Sequence, residues 1–328
     1  MQACPAVQDR AVEERAGRRS RRKLDRRTRV EVLRLAARGE RHPQPKVSRL
    51  TQVRCVAVPE RPSVAFLMGG EDVPCLRLCV TGSKIGNGMS SRLVALSFDA
   101  NDPLRLALFW AGVLGWEMAD DSYDGIALVP SDDTGFRIRF LATQEQKAGQ
   151  NRMHFDLTST SLENQQQTVA RSLGLGARHI DVGQRPEEGH VVLADPEGNE
   201  FCVIEPGNNF LADCGFIGAL ACDGSQEVGY FWRDALGWPL VWDQDQETAI
   251  RSPHGGPKIT WGGPPLMPKT GKNRLHFDLA PPVPGDQQAE VDRLVSLGAT
   301  RIDIGQGEVS WVVMADPDGN EFCVLPSR

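Results

Sequence analysis

Two stretches of the chain are near copies of each other, and this repeat limits the folds open to it more than any other feature. N-R-M-H-F-D-L at 151–157 and A-D-P-E-G-N-E-F-C-V at 194–203 return as N-R-L-H-F-D-L at 273–279 and A-D-P-D-G-N-E-F-C-V at 315–324. An interval of about 122 residues also carries Phe109-Trp110 onto Phe231-Trp232 and Leu114-Gly115-Trp116 onto Leu236-Gly237-Trp238. A period this long is one duplicated domain, not a short solenoid repeat. The copies are expected at 89–208 and 209–328, each long enough to bury a core.

Residues 1–88 stand apart. They hold 19 Lys and Arg against 9 Asp and Glu, whereas the rest holds 18 against 34. The stretch is rich in Arg, Pro and Gly and lacks the periodicity of packed elements, so a basic, unstructured extension is expected. A helix at 28–39 followed by Arg41-His42-Pro43-Gln44-Pro45 does not continue into a helix-turn-helix. The acidic body argues against a nucleic-acid partner. No apolar run is long enough to cross a bilayer, and the start lacks a signal-peptide core, so a cytoplasmic location is expected. The eight cysteines show no paired C-x-x-C spacing and read as reduced thiols, with Cys202 and Cys323 in equivalent buried strands.

Each copy divides into two smaller units of strand, helix and further strands, an α+β pattern. In the first, 92–98 is a strand, Asp102-Pro103 starts a helix, and Gly115 ends it. The second has a strand at 152–157, a helix at 161–174 and strands near 179–182, 190–194 and 200–205, with Asp195-Pro196-Glu197-Gly198-Asn199 as a tight turn. Strand alternation puts Met153, Phe155 and Leu157 on one face and His154 and Asp156 on the other. Likewise Glu200, Cys202 and Ile204 oppose Phe201 and Val203. The apolar faces belong under the helices, which leaves His154, Asp156 and Glu200, and by repetition His276, Asp278 and Glu321, on an open concave face.

These motifs resemble the vicinal oxygen chelate superfamily, which includes glyoxalase I, extradiol dioxygenases and bleomycin resistance proteins. The carriers are D-P-x(5)-F-W-x(4)-L-G-W at 102–116, N-R-x-H-F-D-L and D-P-x-G-N-E-F-C-V; the second copy repeats them except that its helix start is Asp223-Gly224-Ser225. The resemblance implies two tandem glyoxalase-like domains, each of paired βαβββ units forming a cup-shaped sheet. It further implies metal ligands on the first and last strand of each unit. Mapped within each copy, it gives His154 with Glu200 and His276 with Glu321, while the partner positions hold Ala95, Arg139-Phe140, Ala219–Ala221 and Thr260-Trp261. Each cup thus keeps two ligands of four. A divalent ion (Fe, Mn, Ni or Zn) completed by Asp156 or Asp278 and a cup without metal are both carried forward.

Arg152 and Arg274 are surface ion-pair partners or ligand-anion contacts. Trp242 and Trp261 are candidates to stack on a ligand, whereas Trp116, Trp238, Phe109 and Phe231 belong to the core. The leading function is binding or sequestration of a small organic molecule. A metal-dependent lyase, isomerase or dioxygenase is the second reading, and a metabolite-sensing regulator with a nucleic-acid-binding tail the third. The expected assembly is a monomer acting as a fused pseudo-dimer, or a homodimer, without a membrane partner.

Overall fold

Alternating apolar strands and capped amphipathic helices build four units in chain order. The computed structural model describes residues 90–120, 125–185 and 187–327. These residues all lie in one compact unit, Val80–Arg328. The expectations for 1–88 fall outside the described residues.

The first unit holds β1 (Arg92–Ala100), α1 (Pro103–Leu114), β2 (Glu117–Asp120), β3 (Ile126–Val129) and β4 (Arg137–Ala142). The second holds β5 (Met153–Leu157), α2 (Leu162–Gly174), β6 (Arg178–His179), β7 (Val191–Ala194) and β8 (Glu200–Val203). The second copy follows with β9 (Ile217–Cys222), α3 (Gln226–Leu236), β10 (Leu240–Gln244), β11 (Glu247–Arg251) and β12 (Lys258–Trp261). The last unit is β13 (Leu275–Ala280), α4 (Gln287–Ser296), β14 (Thr300–Arg301), β15 (Val312–Ala315) and β16 (Glu321–Val324). Among the described residues every helix starts on a side-chain cap that satisfies a free N–H: Asp102, Ser161, Ser225 and Asp286 accept from the residue three positions on. In α3 it is Ser225 that takes this part, which frees Asp223 for an ion pair. Gly115 and Gly237 close α1 and α3 in the left-handed region, where a Cβ would be strained.

The units do not pair within a copy. Sheet A runs β14-β15-β16-β13-β1-β4-β3-β2, and sheet B runs β10-β11-β12-β9-β5-β8-β7-β6. Each eight-stranded curved sheet therefore joins one unit of the first copy to one unit of the second. The seam of sheet A is the antiparallel pair β1/β13, with Ser97 opposite His276 and Ala95 opposite Asp278. The seam of sheet B is β5/β9, with His154 opposite Ala221 and Asp156 opposite Ala219. The two-cup architecture is as expected, but the strands facing each histidine come from the other copy. Chemistry at each strand is nearly the same in both copies, so alternation within a strand cannot choose between the two pairings.

One apolar core spans both sheets. Phe98 of β1 stacks on Phe155 of β5 at 5.9 Å between ring centroids. Trp110 of α1 meets Phe155 and Phe201 edge-on, and Trp232 of α3 meets Phe277 and Phe322 in the same way. The repeated D-P-x-G-N turn explains its own residues here. Asp195 is buried and accepts hydrogen bonds from Trp110 Nε1 (3.2 Å), the Glu197 and Asn199 amides and Asn199 Nδ2. Asp316 holds Trp232 Nε1 (3.1 Å) and its own turn likewise. Burial pushes both carboxyls up to about 6 against the pull of these donors.

Trp261 is only 2% exposed in this core, which removes it as a cup residue. Alternation is the reason: Thr260, not Trp261, points with Lys258 to the open face. Phe109, Phe231 and Trp116 are buried, and Trp238 is partly buried against them.

Candidate functional site

The faces turned away from the core form two cups. Among the outward residues of β5 and β8 in sheet B are His154, Asp156 and Cys202. Potential ligand atoms of these three residues all lie within 4.8 Å of one another. His154 Nε2 is 3.4 Å from Asp156 Oδ1, and their side chains are 31% and 19% exposed, so a molecule can reach them. Burial opposes charge on His154, but hydrogen bonds to Asp156 and Cys202 outweigh it and push its pKa up to about 10. Burial raises the Cys202 thiol above its usual range. Across the seam Ala219 and Ala221 add no polar group.

Sheet A repeats the trio as His276, Asp278 and Cys323, also within 4.8 Å. Here the carboxylate is taken. Asp278 Oδ2 accepts from Ser97 Oγ at 2.7 Å and pairs with Arg139 Nη1 at 2.5 Å, with both side chains almost fully buried. His276 Nε2 lies 3.6 Å from Asp278 Oδ1, and its buried Nδ1 has no hydrogen-bond partner.

Glu200 and Glu321 stand outside both trios. Glu200 pairs with Lys147 Nζ (2.7 Å) and accepts from the Asn151 amide, and Glu321 pairs with Lys269 Nζ (2.8 Å) and the Asn273 amide. Each sits at the first residue of its strand, where a lysine from the loop before the histidine strand can reach it. The residue two positions on, Cys202 or Cys323, takes the place beside the histidine. The alternation that puts Glu200 on the cup face puts Cys202 there too, as a buried free thiol.

Arg152 and Arg274 are also committed elsewhere. Arg152 pairs with Asp223 and donates to the Asp318 carbonyl oxygen, while Arg274 pairs with Glu197 at 2.5 Å and donates to the Glu145 carbonyl oxygen. Both are buried ion pairs that rivet the copies together, where surface pairs were one expectation. Trp242 is 37% exposed on edge strand β10 and meets the Phe210 ring edge-on at 5.7 Å.

The cups differ most in what fills them. Cup B receives the linker between the copies: Leu211 is buried against Cys202, Ile204 and Ala219, with Phe210 packed beside it. A Cβ at Gly218 would stand 3.0 Å from Leu211 Cδ1, so the linker seats on bare backbone there. Cup A instead opens into a cavity of about 700 Å³, lined by Ala95, Val129, Arg137, Arg139, Ala280 and Leu325 among others.

A family model for the glyoxalase-like domain matches residues 95–204 and again 218–325. The chain belongs to the glyoxalase-like domain family. A curated relative, glyoxalase 1 of Caenorhabditis briggsae, is 27% identical over 149 residues, 42% of this chain and 50% of the relative. The chain thus spans about half the length of that relative. Among solved structures, glyoxalase I from Zea mays superposes with a TM-score of 0.51 at 14% identity, covering 72% of this chain and 92% of the maize chain. That likeness concerns the fold of this glyoxalase-like protein. Among the described residues no helix is long and apolar enough to cross a membrane.

Proposed function

We propose that this glyoxalase-like protein binds a small organic molecule in the cup of sheet A. The observation that supports it is the cavity of about 700 Å³ on the face opposite the core, where Val94, Ala95, Val129 and Leu325 offer apolar contact and arginines offer orientation. A cavity of this size suits a single organic molecule, and its floor is held stiff by the buried Ser97–Asp278–Arg139 network. The test is titration of the full chain with N-phenyl-1-naphthylamine, an uncharged apolar fluorophore. Saturable binding at a single site is expected, and Ala280→Trp, which puts an indole into the cavity, should abolish it. Binding unchanged in that variant would sink the reading.

A second reading, metal-assisted chemistry, is favoured by the donor set of cup B alone. The residues of cup A do not fit a dication, because Asp278 is already neutralised by Arg139 and an ion there would face the guanidinium. In cup B, His154, Asp156 and Cys202 offer one nitrogen, one oxygen and one sulfur; the cation beside the carboxylate is the His154 imidazolium, whose proton a metal ion would displace. This set suits Zn²⁺ or Co²⁺ better than Mg²⁺ or Mn²⁺. When bound, such an ion supplies Lewis acidity to a ligand oxygen. Asp156 orients the imidazole for this use, and Leu211 keeps bulk water from Cys202. Cobalt added to the full chain should give a thiolate charge-transfer band that Cys202→Ser removes and Cys323→Ser leaves; a band lost in Cys323→Ser instead would reverse the assignment.

A further inference from the structure

Cup B already contains a ligand of a kind, and its chemistry states what cup A lacks. The strand registers make the two cups comparable position by position. In sheet B, Ala219 of β9 lies opposite Asp156 on one side and Lys258 of β12 on the other. In sheet A, Ala95 of β1 lies opposite Asp278 on one side and Arg137 of β4 on the other. Lys258 and Arg137 are therefore the same position, a cation pointing from the last strand of a first unit into the cup.

In cup B that cation is fully answered by the linker. The Phe210 ring sits 4.6 Å from Lys258 Nζ, the ammonium donates to the Phe210 carbonyl oxygen, and it pairs with the Asp213 carboxylate at 2.9 Å. Lys258 in turn holds Asp213 below the usual carboxylate range. The occupant of cup B is thus an apolar group, an aromatic ring and a carboxylate within four residues, Phe210 to Asp213. In cup A, Arg137 has no hydrogen-bond or ion-pair partner among the described residues, and it borders the cavity. Arg92 adds a second exposed cation at the same mouth. The acidic group on that rim, Asp132, is engaged by Trp116 Nε1 and the Thr134 amide. Residues 80–91, which precede β1, contain no aromatic and no acidic residue, unlike the linker that precedes β9.

We propose that cup A takes an organic carboxylate with an apolar, aromatic body, its acid group on Arg137 and its ring over the Ala95, Val129 and Leu325 surface. This rests on the reading of cup A as a binding site and adds the class of molecule and the residue that selects it. Arg139 takes no such part, since its guanidinium is held on Asp278 at the floor. An arginine suits the task because its planar fork can meet both carboxylate oxygens.

The test uses a matched pair, 2-naphthoate and the uncharged 2-naphthamide, each displacing N-phenyl-1-naphthylamine from the full chain. Naphthoate should bind about tenfold tighter or more, the range of a charge-assisted hydrogen bond. Arg137→Gln should remove that advantage and leave naphthamide unchanged, while Ala280→Trp should remove both. Equal binding of the two by the unaltered chain, still lost in Ala280→Trp, would overturn the carboxylate inference and leave the binding cup standing. Preference for naphthoate that survives Arg137→Gln would overturn it as well. Failure of either compound and of the fluorophore to bind at all would overturn the cup reading itself.

Discussion

Cups A and B begin from the same strand pattern and end with different contents. Both put a histidine, an aspartate and a cysteine on the open face, and both place a cation at the outer strand. Two substitutions then separate them. Ser97 and Arg139 lie beside His276 and Asp278, where cup B has Ala221 and Thr260, and the linker enters cup B alone. A duplicated scaffold can thus keep its core and diverge in charge by changing one residue on each of two strands. In one cup the aspartate is locked by an arginine and no segment among the described residues fills the space. In the other the aspartate is available to the histidine and the space is filled.

The largest expected effect tests the lock. Arg139→Gln leaves Asp278 buried with only a serine hydroxyl, and should cost about 3–5 kcal/mol in urea unfolding. Thr260→Val at the matching position of cup B should cost under about 1 kcal/mol. Equal costs would erase the electrostatic difference between the cups.

The next concerns the turns, where the halves are alike. Asp195 and Asp316 have native pKa values near 6 against an unfolded 3.8, so the native state holds extra protons between these limits. Their contribution to stability is full below about pH 4 and is lost as pH rises through 6, at most about 3 kcal/mol for each group. Asp195→Asn should therefore narrow its stability gap to, or overtake, the unaltered chain as pH goes from 4 to 7, and Asp316→Asn should do the same. A gap that widens over this range would show that the hydrogen bonds from Trp110 and Asn199 outweigh burial.

The smallest effect probes the plug. Leu211→Ala removes the side chain that seats on Gly218 and should cost about 2 kcal/mol. It should also raise the number of N-phenyl-1-naphthylamine sites from one to two, making cup B resemble cup A. If the count stays at one, Phe210 alone closes the cup.

Much of this molecule was legible in its sequence, and what was not has a common cause. Strand limits, helix caps and the outward placement of His154 and Asp156 follow from local periodicity, which a single strand carries within itself. Trp261 was misplaced by one position of the same alternation, in a short strand with weak contrast. Glu200 and Glu321 take ion-pair partners, Lys147 and Lys269, that reach them from about 50 residues away, which local periodicity does not carry. Arg152 and Arg274 likewise find Asp223 and Glu197 across the copies. Such contacts depend on which unit lies beside which, and a repeat makes that choice ambiguous by construction.

The crossed pairing of the sheets has a consequence for how the chain comes apart. Neither copy contains a finished sheet, so a cut within 205–216 would release two pieces, each presenting the bare edges of β1 and β5 or of β9 and β13. Those edges would find their complements only by collision, at a rate set by protein concentration. In the intact chain the linker turns that encounter into a first-order event, because it holds the partners at a local concentration in the millimolar range without adding a contact. The segment that occupies cup B is therefore also the tether that spares this protein the dilution limit of a two-chain assembly.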